Sequence, residues 1–451
     1  MKRILSILLL LLWVGCSAPA PNQQNDVPAK KPGEKIPPEQ KQDVPPGNLL
    51  PAKQPANEVD PKSGQSSTTP ANPKPNAPYS TQTQVMVSPL PKITNHEFSQ
   101  GWPSFRGNAL ANGVASSTLP EPTKLEVLWK HKVPKGEFQS TACLVPLKGR
   151  AAAVVGDMDG LILAIDLESG DVLWSFKIKF GYACSIAFFE DHIYVGNIDG
   201  RFLCLDSGGK LKWEFSAGSE IDGSATFYED QVLFTSQDAK LYSLRRSTGE
   251  LAWSIEAGDQ LRCAPVIADG QVFLAGCDAL LRGIQLSDQT NTMEVPIDSP
   301  TGCTPAISGD VIYFGTEQAG FKAVDIRKKE LAWSFDDQGR SLAFRGNAAT
   351  IADLVIVGDN ARNVWALQAD TGEVKWSTPL RAIVETSPVI VGDFVYVASG
   401  DGRLSALKVQ TGELVWEKEF SGQFKSSPAV GFGRLVISSD DGTIYCLGAK
   451  D

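Results

Sequence analysis

A tryptophan recurs along this chain at nearly even intervals, and that spacing restricts the fold more than any other feature. The successive intervals are 45, 39, 40, 80, 43 and 40 positions, and Met293 stands at the middle of the double interval. A period near 40 residues that contains several short strands is typical of a β-propeller. The set comprises Trp129, Trp174, Trp213, Trp253, Trp333, Trp376 and Trp416. We therefore expect a ring of repeated β-sheet blades, docked to one another by these large side chains.

Each period reads as a set of short strands separated by turns. In one unit, strands are predicted at residues 385–390, 394–398 and 403–407, and a fourth begins at Leu414. Val, Ile and aromatic residues favour strands, and glycine supplies the positive φ that tight turns require. Eight units of this kind are present, so the sequence predicts an all-β, eight-bladed propeller of four-stranded antiparallel blades.

The two ends of the repeat are incomplete and complementary. Segment 126–132 carries Trp129 and has the character of a fourth strand, whereas the chain ends on a third strand at 443–447. Pairing these two segments would remove two open sheet edges. The sequence therefore predicts that the last blade is closed by the N-terminal strand.

The turn before each tryptophan has a regular form, shown in full by Ala164-Ile-Asp-Leu-Glu-Ser-Gly-Asp-Val-Leu-Trp174. This spacing of Ala, Asp, Gly and Trp resembles the repeat of pyrroloquinoline-quinone-type (PQQ-like) propellers, over residues 125–448. Ahead of the ring, Gly101-Trp-Pro-Ser-Phe-Arg-Gly107 resembles the lead-in of exported quinoprotein-like propellers. Met293 in place of tryptophan, and Ile326-Arg-Lys-Lys-Glu330 without a glycine, depart from the repeat, so we expect looser packing there.

The N-terminal region has the features of an export signal. Lys2 and Arg3 precede an apolar run at 4–14, which is too short to span a bilayer. The run ends in Gly-Cys, which resembles the end of a bacterial lipoprotein signal. The sequence therefore predicts a signal peptide over residues 1–16, with Cys16 as the lipidated residue.

The remaining chain divides into a linker and a domain. Residues 17–98 hold 17 of the 29 prolines and few large apolar groups, which predicts a disordered linker. Residues 99–451 are predicted to form the propeller. Residues 1–98 carry 10 Lys and Arg against 7 Asp and Glu, whereas 99–451 carry 32 against 45. An acidic domain disfavours nucleic acid or anionic lipid as its main partner.

The number of blades, the lipoprotein-type start and the small size together resemble the BamB-like lipoproteins of the outer-membrane β-barrel assembly machinery. That resemblance implies an exported, lipid-anchored scaffold without catalytic activity. It also implies a place on the periplasmic side of the cell envelope, at the outer membrane rather than the inner one. Envelope proteins, including the assembly machinery itself, are the partners that it implies.

No catalytic, cofactor-binding or metal site is predicted. The aspartates fall mostly in hairpin turns, where they bond their own backbone, and the three histidines lack metal-binding spacings. Cys184, Cys263 and Cys303 take equivalent places at the start of first strands, where small residues are expected. Two alternative functions stay open. They are a quinoprotein-type (PQQ-dependent) oxidoreductase or its subunit, and an envelope protein that binds a small ligand or glycan.

A partner-binding face is predicted where fourth strands lead into the next first strands. The connection at 336–345 is longer than the repeat requires and is rich in aromatic residues and arginine, which commonly anchor protein interfaces. Comparable residues precede other first strands on the same face. The predicted contact residues are Arg340, Leu342, Phe344, Arg345, Phe180, Tyr182 and Arg381.

Overall fold

The computed structural model describes residues 100–336 and 342–450, which form eight four-stranded antiparallel sheets arranged in a ring. The predicted eight-bladed β-propeller is confirmed. Cys16, Arg340 and the proposed linker lie outside the described residues. Within the described part, no helix has the length and apolar character needed to cross a membrane.

The blades are numbered in chain order, and a short 3-10 helix (Pro122–Lys124) precedes the first strand. The strand bounds are β1 (Glu126–Lys132); for blade 1 β2 (Cys143–Leu147), β3 (Arg150–Gly156), β4 (Leu161–Asp166), β5 (Val172–Lys177); for blade 2 β6 (Ala187–Phe189), β7 (His192–Gly196), β8 (Arg201–Asp206), β9 (Leu211–Ser216); for blade 3 β10 (Thr226–Tyr228), β11 (Gln231–Ser236), β12 (Lys240–Arg245), β13 (Leu251–Glu256); for blade 4 β14 (Val266–Ala268), β15 (Gln271–Ala275), β16 (Leu280–Gln285), β17 (Asn291–Pro296). For blade 5 they are β18 (Ala306–Ser308), β19 (Val311–Gly315), β20 (Phe321–Asp325), β21 (Glu330–Phe335); for blade 6 β22 (Ala349–Ile351), β23 (Leu354–Gly358), β24 (Asn363–Gln368), β25 (Val374–Pro379); for blade 7 β26 (Val389–Val391), β27 (Phe394–Ala398), β28 (Arg403–Lys408), β29 (Leu414–Glu419); and for blade 8 β30 (Ala429–Gly431), β31 (Arg434–Ser438) and β32 (Thr443–Gly448).

Blade 8 is assembled from both ends of the ring. β1 pairs antiparallel with β32, which gives the strand order β1-β32-β31-β30. Lys132 on β1 lies opposite Thr443 and donates to its hydroxyl at 3.2 Å, and it also forms a 3.2 Å ion pair with Asp441. The predicted closure of the last blade by the N-terminal strand is therefore confirmed.

The strands of a blade differ in burial because neighbouring blades stack face to face. β4 is buried over all but its first residue, so it is apolar almost throughout. β9, with the sequence Leu-Lys-Trp-Glu-Phe-Ser, alternates between exposed and half-buried residues at the outer edge. Charged side chains on such an edge strand discourage pairing with another molecule.

Tryptophan side chains join neighbouring blades through the same contacts at five interfaces. The indole Nε1 of Trp333 in blade 5 donates to the carbonyl of Ala369 in blade 6 at 3.0 Å. A Cβ added to Gly372 would lie 2.6 Å from this indole ring, and its φ is 73°, so both the turn and the contact require glycine. The same indole bond joins Trp129 to Leu167, Trp174 to Ser207, Trp213 to Arg246 and Trp376 to Val409. The repeat motif thus records a contact between blades, in which one blade's turn receives the tryptophan of the blade before it.

At the closing interface, blade 8 has no turn between its third and fourth strands to receive Trp416, because its fourth strand is β1. Two other interfaces also depart from this arrangement. Between blades 3 and 4, Gln289 stands at the turn position of the glycine, and its side-chain amide donates to the Leu286 carbonyl at 2.9 Å. Between blades 4 and 5, Met293 replaces the tryptophan and Lys329, with a φ of 59°, replaces the glycine. A groove of about 330 Å³ opens at this second interface. The looser packing expected from the sequence is found there.

A ring of hydrogen bonds, here called the inner ring, joins the starts of the first strands around the centre. At one repeat position, each backbone N–H donates to the side-chain oxygen at the same position of the next blade. Seven such bonds, 2.5–3.3 Å long, run from Thr141 to Ser185, Ser185 to Ser224, Ala264 to Thr304, Thr304 to Asn347, Asn347 to Ser387, Ser387 to Ser427 and Ser427 to Thr141. The Ser224 N–H has no equivalent acceptor, because Ala264 lacks a side-chain oxygen.

Candidate functional site

Residues 100–117, here called the plug segment, lie across one face of the ring. Their backbone and side-chain oxygens accept hydrogen bonds from the first strands, or from the turns after them, in blades 8, 1, 2, 5, 6 and 7. The bonded pairs are Gln100 with Phe432, Trp102 with Leu144, Pro103 with Phe188, Leu110 with Ile307, Asn112 with Thr350, Gly113 with Ile390 and Ser117 with Gly433. The plug segment therefore covers the centre of the ring on the face that carries the first turn of each blade.

Two large side chains fix the plug segment, and nearby glycines make room for them. Trp102 is 1% exposed, and a Cβ on Gly107 would approach its ring to 2.7 Å. Arg106 is also 1% exposed, and its Nη2 donates to the carbonyls of Ala348 at 2.9 Å and Pro388 at 2.6 Å. Burial lowers the pKa of Arg106 to about 9, which still leaves the guanidinium charged at neutral pH. This arginine ties the plug segment to blades 6 and 7.

The opposite face carries polar and mostly charged side chains at a single repeat position, two residues before the inner-ring residue of the same blade. We call this set the charged mouth, and it comprises Gln139, Asp222, Arg262, Arg345, Glu385 and Lys425. Arg345 donates from Nη1 to Glu385 at 2.9 Å and from Nε to Glu317 at 3.0 Å, which joins blades 5, 6 and 7. Lys425 in blade 8 bonds Glu137 in blade 1 at 2.8 Å. Pairing of opposite charges between blades therefore runs along this edge.

A third group of charged residues at this mouth joins blades 3 and 4. Gln237 donates to Asp222 at 2.6 Å and accepts from Arg262 at 3.2 Å, and the Arg262 guanidinium lies 3.9 Å from the same carboxylate. Burial raises the pKa of Asp222, although Gln237 and Arg262 oppose that effect. Burial also raises the pKa of the neighbouring Glu220, with a further contribution from the charge of Asp222. Burial therefore disfavours the charged form of both carboxylates.

The residues predicted to contact a partner do not all reach the surface, and three of them require a correction. Tyr182 and Phe344 are fully buried, and Leu342 is 8% exposed, so these side chains support the face from inside. Their burial follows from the repeat, because Tyr182 and Phe344 occupy the position that holds buried Phe138 in blade 1 and Phe424 in blade 8. The Phe344 ring packs against those of Phe321 and Phe335, with centroids 5.7 and 6.1 Å away.

Three other predicted contact residues, Phe180, Arg345 and Arg381, lie on the accessible side. Phe180 is 38% exposed, and the ammonium of Lys179 lies 4.4 Å from its ring centre. The Arg381 side chain is 69% exposed and lies 3.6 Å from Glu417, whereas Arg345 is held in the charged mouth by two carboxylates. Sequence reasoning missed the charged mouth, although aligning the eight units would have placed its members at one position.

The cysteines at the starts of first strands behave as small hydrogen-bonding residues. Cys184 donates from Sγ to the Gly196 carbonyl at 3.3 Å, and Thr386 makes the equivalent bond in blade 7. Burial raises the pKa of Cys184 and of Cys303 to about 12, so both remain thiols at neutral pH. In the part of the chain that the structure describes, no group of three or more His, Cys, Asp or Glu side chains is placed to hold a metal ion.

Comparison with known proteins gives one family and several similar structures. The family model described as outer membrane protein assembly factor BamB matches residues 158–302, 262–383 and 378–451, which together cover about two thirds of the chain. BamB from Nitrosomonas eutropha is 24% identical over 131 residues, and the match spans 29% of this chain and 31% of that protein. The chain therefore aligns with about a third of the length of this relative.

Solved propellers share the fold at low sequence identity. The crystal structure of BamB from Moraxella catarrhalis has a TM-score of 0.58 at 18% identity, over 72% of this chain and 98% of that one. Quinohemoprotein alcohol dehydrogenase from Comamonas testosteroni has a TM-score of 0.65 at 13% identity, over 78% and 81%. Likeness at this level concerns the fold alone, whereas the family match rests on the repeats themselves. With eight PQQ-like blades and a family match over most of them, the chain belongs to the BamB-like family of β-propellers.

Proposed function

We propose that this propeller is a non-catalytic protein-interaction scaffold of the cell envelope. The observation that carries the proposal is the charged mouth, in which carboxylates from neighbouring blades are paired with arginine, lysine and glutamine. Such a surface presents hydrogen-bonding groups to a partner, and its charges are already neutralised in the free protein. Pre-paired charges favour specific docking without leaving an isolated ion at the interface.

The geometry of the two faces supports docking on one side. The plug segment occupies the centre of one face, so the charged mouth is the face at which the inner strands remain accessible. Phe180 and Ile383, 38% and 41% exposed, lie next to it and add apolar surface. Aromatic and arginine side chains beside a polar rim match the composition of protein interfaces.

The family supports a proposal for the partner and for the location. Relatives of this chain are named for outer-membrane protein assembly, so envelope proteins of that machinery are the proposed partners. We propose export to the periplasmic side and anchoring through a lipid on Cys16, with residues 17–98 as a linker. Replacing Cys16 by Ala would then release the protein from membranes, and fractionation of cells with the two forms measures this directly.

The docking face is tested by site-specific photo-cross-linking in the native envelope. A cross-linking amino acid is placed at position 180 or 381, and at the exposed Leu211 of an outer strand as the control. We expect an envelope protein to be captured from 180 and 381 but not from 211. Capture at equal levels from all three positions, or from none, would contradict docking at the charged mouth.

A matched pair of variants separates binding from folding. Phe180→Ala combined with Arg381→Glu removes exposed apolar surface and reverses a charge, so partner recovery should fall while the unfolding temperature stays unchanged. Val172→Ala with Lys212→Glu makes similar changes on outer strands and should leave partner recovery intact. Loss of the partner in both double variants would assign the effect to general surface changes.

A quinone-dependent oxidoreductase is the alternative function, and it rests on likeness of fold to the quinohemoprotein alcohol dehydrogenase. A hard cation beside a quinone requires several converging oxygen ligands. At the charged mouth the carboxylates of Glu317, Glu385 and Asp222 instead contact arginine. Titration of the protein with pyrroloquinoline quinone and Ca²⁺ tests this alternative, since saturable binding at the charged mouth would favour it over the scaffold.

A further inference from the structure

The groove between blades 4 and 5 combines an apolar floor with a charged rim. Its volume is about 330 Å³, which is within the range of small binding sites. The floor contains Ala268, Phe273 and Ile326, and the rim contains Asp310, Arg327 and Lys329. Arg327 and Asp310 form an ion pair of 2.8 Å across the rim.

The groove exists because two elements of the repeat are absent from the same interface. At the next interface, the Trp333 indole packs on Gly372 and donates to the Ala369 carbonyl. Met293 is too short to fill the equivalent volume, and the Cβ of Lys329 stands where a glycine would lie against the ring. The blade's own side chain therefore cannot close this interface in the way that tryptophan closes the others.

The missing indole also leaves a hydrogen-bond acceptor. Ile326 is the counterpart of Leu167 and Ala369, whose carbonyls each accept an indole N–H. At the preceding interface the corresponding carbonyl, that of Leu286, is used by the Gln289 side chain. Among the described residues, the Ile326 carbonyl receives no such donor. An acceptor that lines a groove favours a ligand with an N–H group at that point.

We propose that this groove binds a tryptophan side chain presented by a partner protein, with its indole N–H donating to the Ile326 carbonyl. The proposal rests on the scaffold function and adds a second contact outside the charged mouth. In blade 5, the ring centre of Tyr313 lies 5.9 Å from that of Trp333. Phe273 occupies the equivalent position in blade 4, so it offers an aromatic edge to the incoming indole. The Lys329 side chain obstructs a tryptophan that is part of blade 4 at position 293. In the proposed complex, its stem and ammonium instead pack over the partner's indole, which enters the groove from outside.

Apart from Trp13, which lies in the predicted signal peptide, the chain does not supply this tryptophan. Residues 17–99 contain no tryptophan, so the predicted linker has no indole to offer. The nine tryptophans in the described residues are all buried or partly buried, so a second copy of the ring does not present one either. A different protein is therefore the occupant that fits the site.

The test uses the full-length protein and a dye-labelled pentapeptide, Gly-Ser-Trp-Ser-Gly, with Leu in place of Trp as the control peptide. Fluorescence anisotropy should report saturable binding of the Trp peptide, on the order of tenfold tighter than the Leu peptide, from one hydrogen bond and one cation–π contact. The double variant Met293→Trp with Lys329→Gly recreates the closed interface, so it should unfold at higher temperature and lose the Trp peptide. Gln289→Gly makes the matched change at the neighbouring interface and should bind like the wild type.

The outcomes separate this proposal from the scaffold function. Equal binding of the Trp and Leu peptides overturns the groove assignment. Binding of the Trp peptide that is retained in a stabilised double variant does so too. Both conclusions hold independently of the photo-cross-linking in the envelope. If the double variant is not stabilised, Lys329→Gly alone decides, because it removes the stacking stem and should weaken binding several-fold. Tyr79 is the one tyrosine among residues 17–99 and could stack in the groove in place of an indole. Tighter peptide binding after Tyr79→Ser would show that the linker occupies the groove, and would overturn assignment to a partner.

Discussion

Completing the inner ring should stabilise the propeller, and Ala264→Ser is the change that does so. In seven of eight blades the backbone N–H at this position finds a side-chain oxygen in the next blade, but Ser224 faces Ala264. Ala264 borders a small cavity of about 20 Å³, so a hydroxyl oxygen has room. Serine at 264 would therefore extend the chain of bonds from blade 3 to blade 4.

The size of the effect follows from one hydrogen bond in a buried position. A typical intramolecular hydrogen bond adds about 0.5–1.5 kcal/mol to the free energy of unfolding. Ordering a serine side chain costs little, since it has one rotatable heavy-atom bond. For a domain of about 350 residues, this gain corresponds to a rise of roughly 1–2 °C in the unfolding temperature.

The assay is calorimetric unfolding of the wild type, Ala264→Ser and the reverse change Ser387→Ala. Ser387 accepts hydrogen bonds from both the backbone and the side-chain amide of Asn347, each 3.0 Å long. Its loss leaves two buried donors unsatisfied and should cost about 1–3 kcal/mol. Ser387→Ala should lower the unfolding temperature. If it does and Ala264→Ser leaves the unfolding temperature unchanged or lowers it, the missing inner-ring bond does not limit the stability of the propeller.

Three further predictions concern docking, closure and the plug segment. Trp333→Phe should lower the free energy of unfolding by about 0.5–1.5 kcal/mol, because the Ala369 carbonyl loses one of its two donors and keeps the Tyr313 hydroxyl at 3.0 Å. Trp416→Phe should cost less, since blade 8 has no turn between its third and fourth strands to receive that indole, and urea unfolding of both variants compares them. Burial alone would raise the pKa of Asp441, but hydrogen bonds from Ser421, Ser439, Thr443 and Lys132 hold it well below its usual range. Because the folded pKa is the lower one, the stabilisation is present above the ordinary aspartate pKa of about 4 and is lost as the pH falls below it, so the deficit of Asp441→Asn should shrink between about pH 6 and pH 3 in denaturant titrations. Arg106→Ala removes the donor from two buried carbonyls, so proteolysis within 100–117 should accelerate while ring unfolding changes less; equal cleavage rates would contradict the anchoring role.

The number of blades and the closure of the ring could be predicted because both depend on local repetition. Each tryptophan marks the same strand of its blade, and the unpaired strand at 126–132 has only one complementary end to meet. From the sequence, the motif glycine is predicted to form a turn, and this is one of its two roles. Its contact with the preceding blade's indole, as between Gly372 and Trp333, could not be seen without knowing which blade faces which.

The functional surface was harder to predict because exposure depends on register between blades. Phe344 lies within the long connection at 336–345 and Tyr182 lies in a connection of regular length, yet both occupy a repeat position whose side chain is buried. The ion pairs of Arg345 join three consecutive blades through residues 28 and 40 positions away, so its partners follow only from the way in which neighbouring blades stack. The plug segment follows no repeat at all, and its path over the ring depends on hydrogen bonds to six blades.

The seam between β1 and β32 sets an order of events for a chain that is synthesised from its N-terminus. Segment 126–132 emerges first, but the strand that completes its pairing is finished only with residue 448. Until then the structure is an open arc with an exposed edge, and closure of a loop longer than 300 residues is entropically slow. The last inner-ring bond, from Ser427 to Thr141, forms across the same seam. A product truncated by even its final strand would therefore remain an arc with two unpaired edges, open to aggregation and proteolysis.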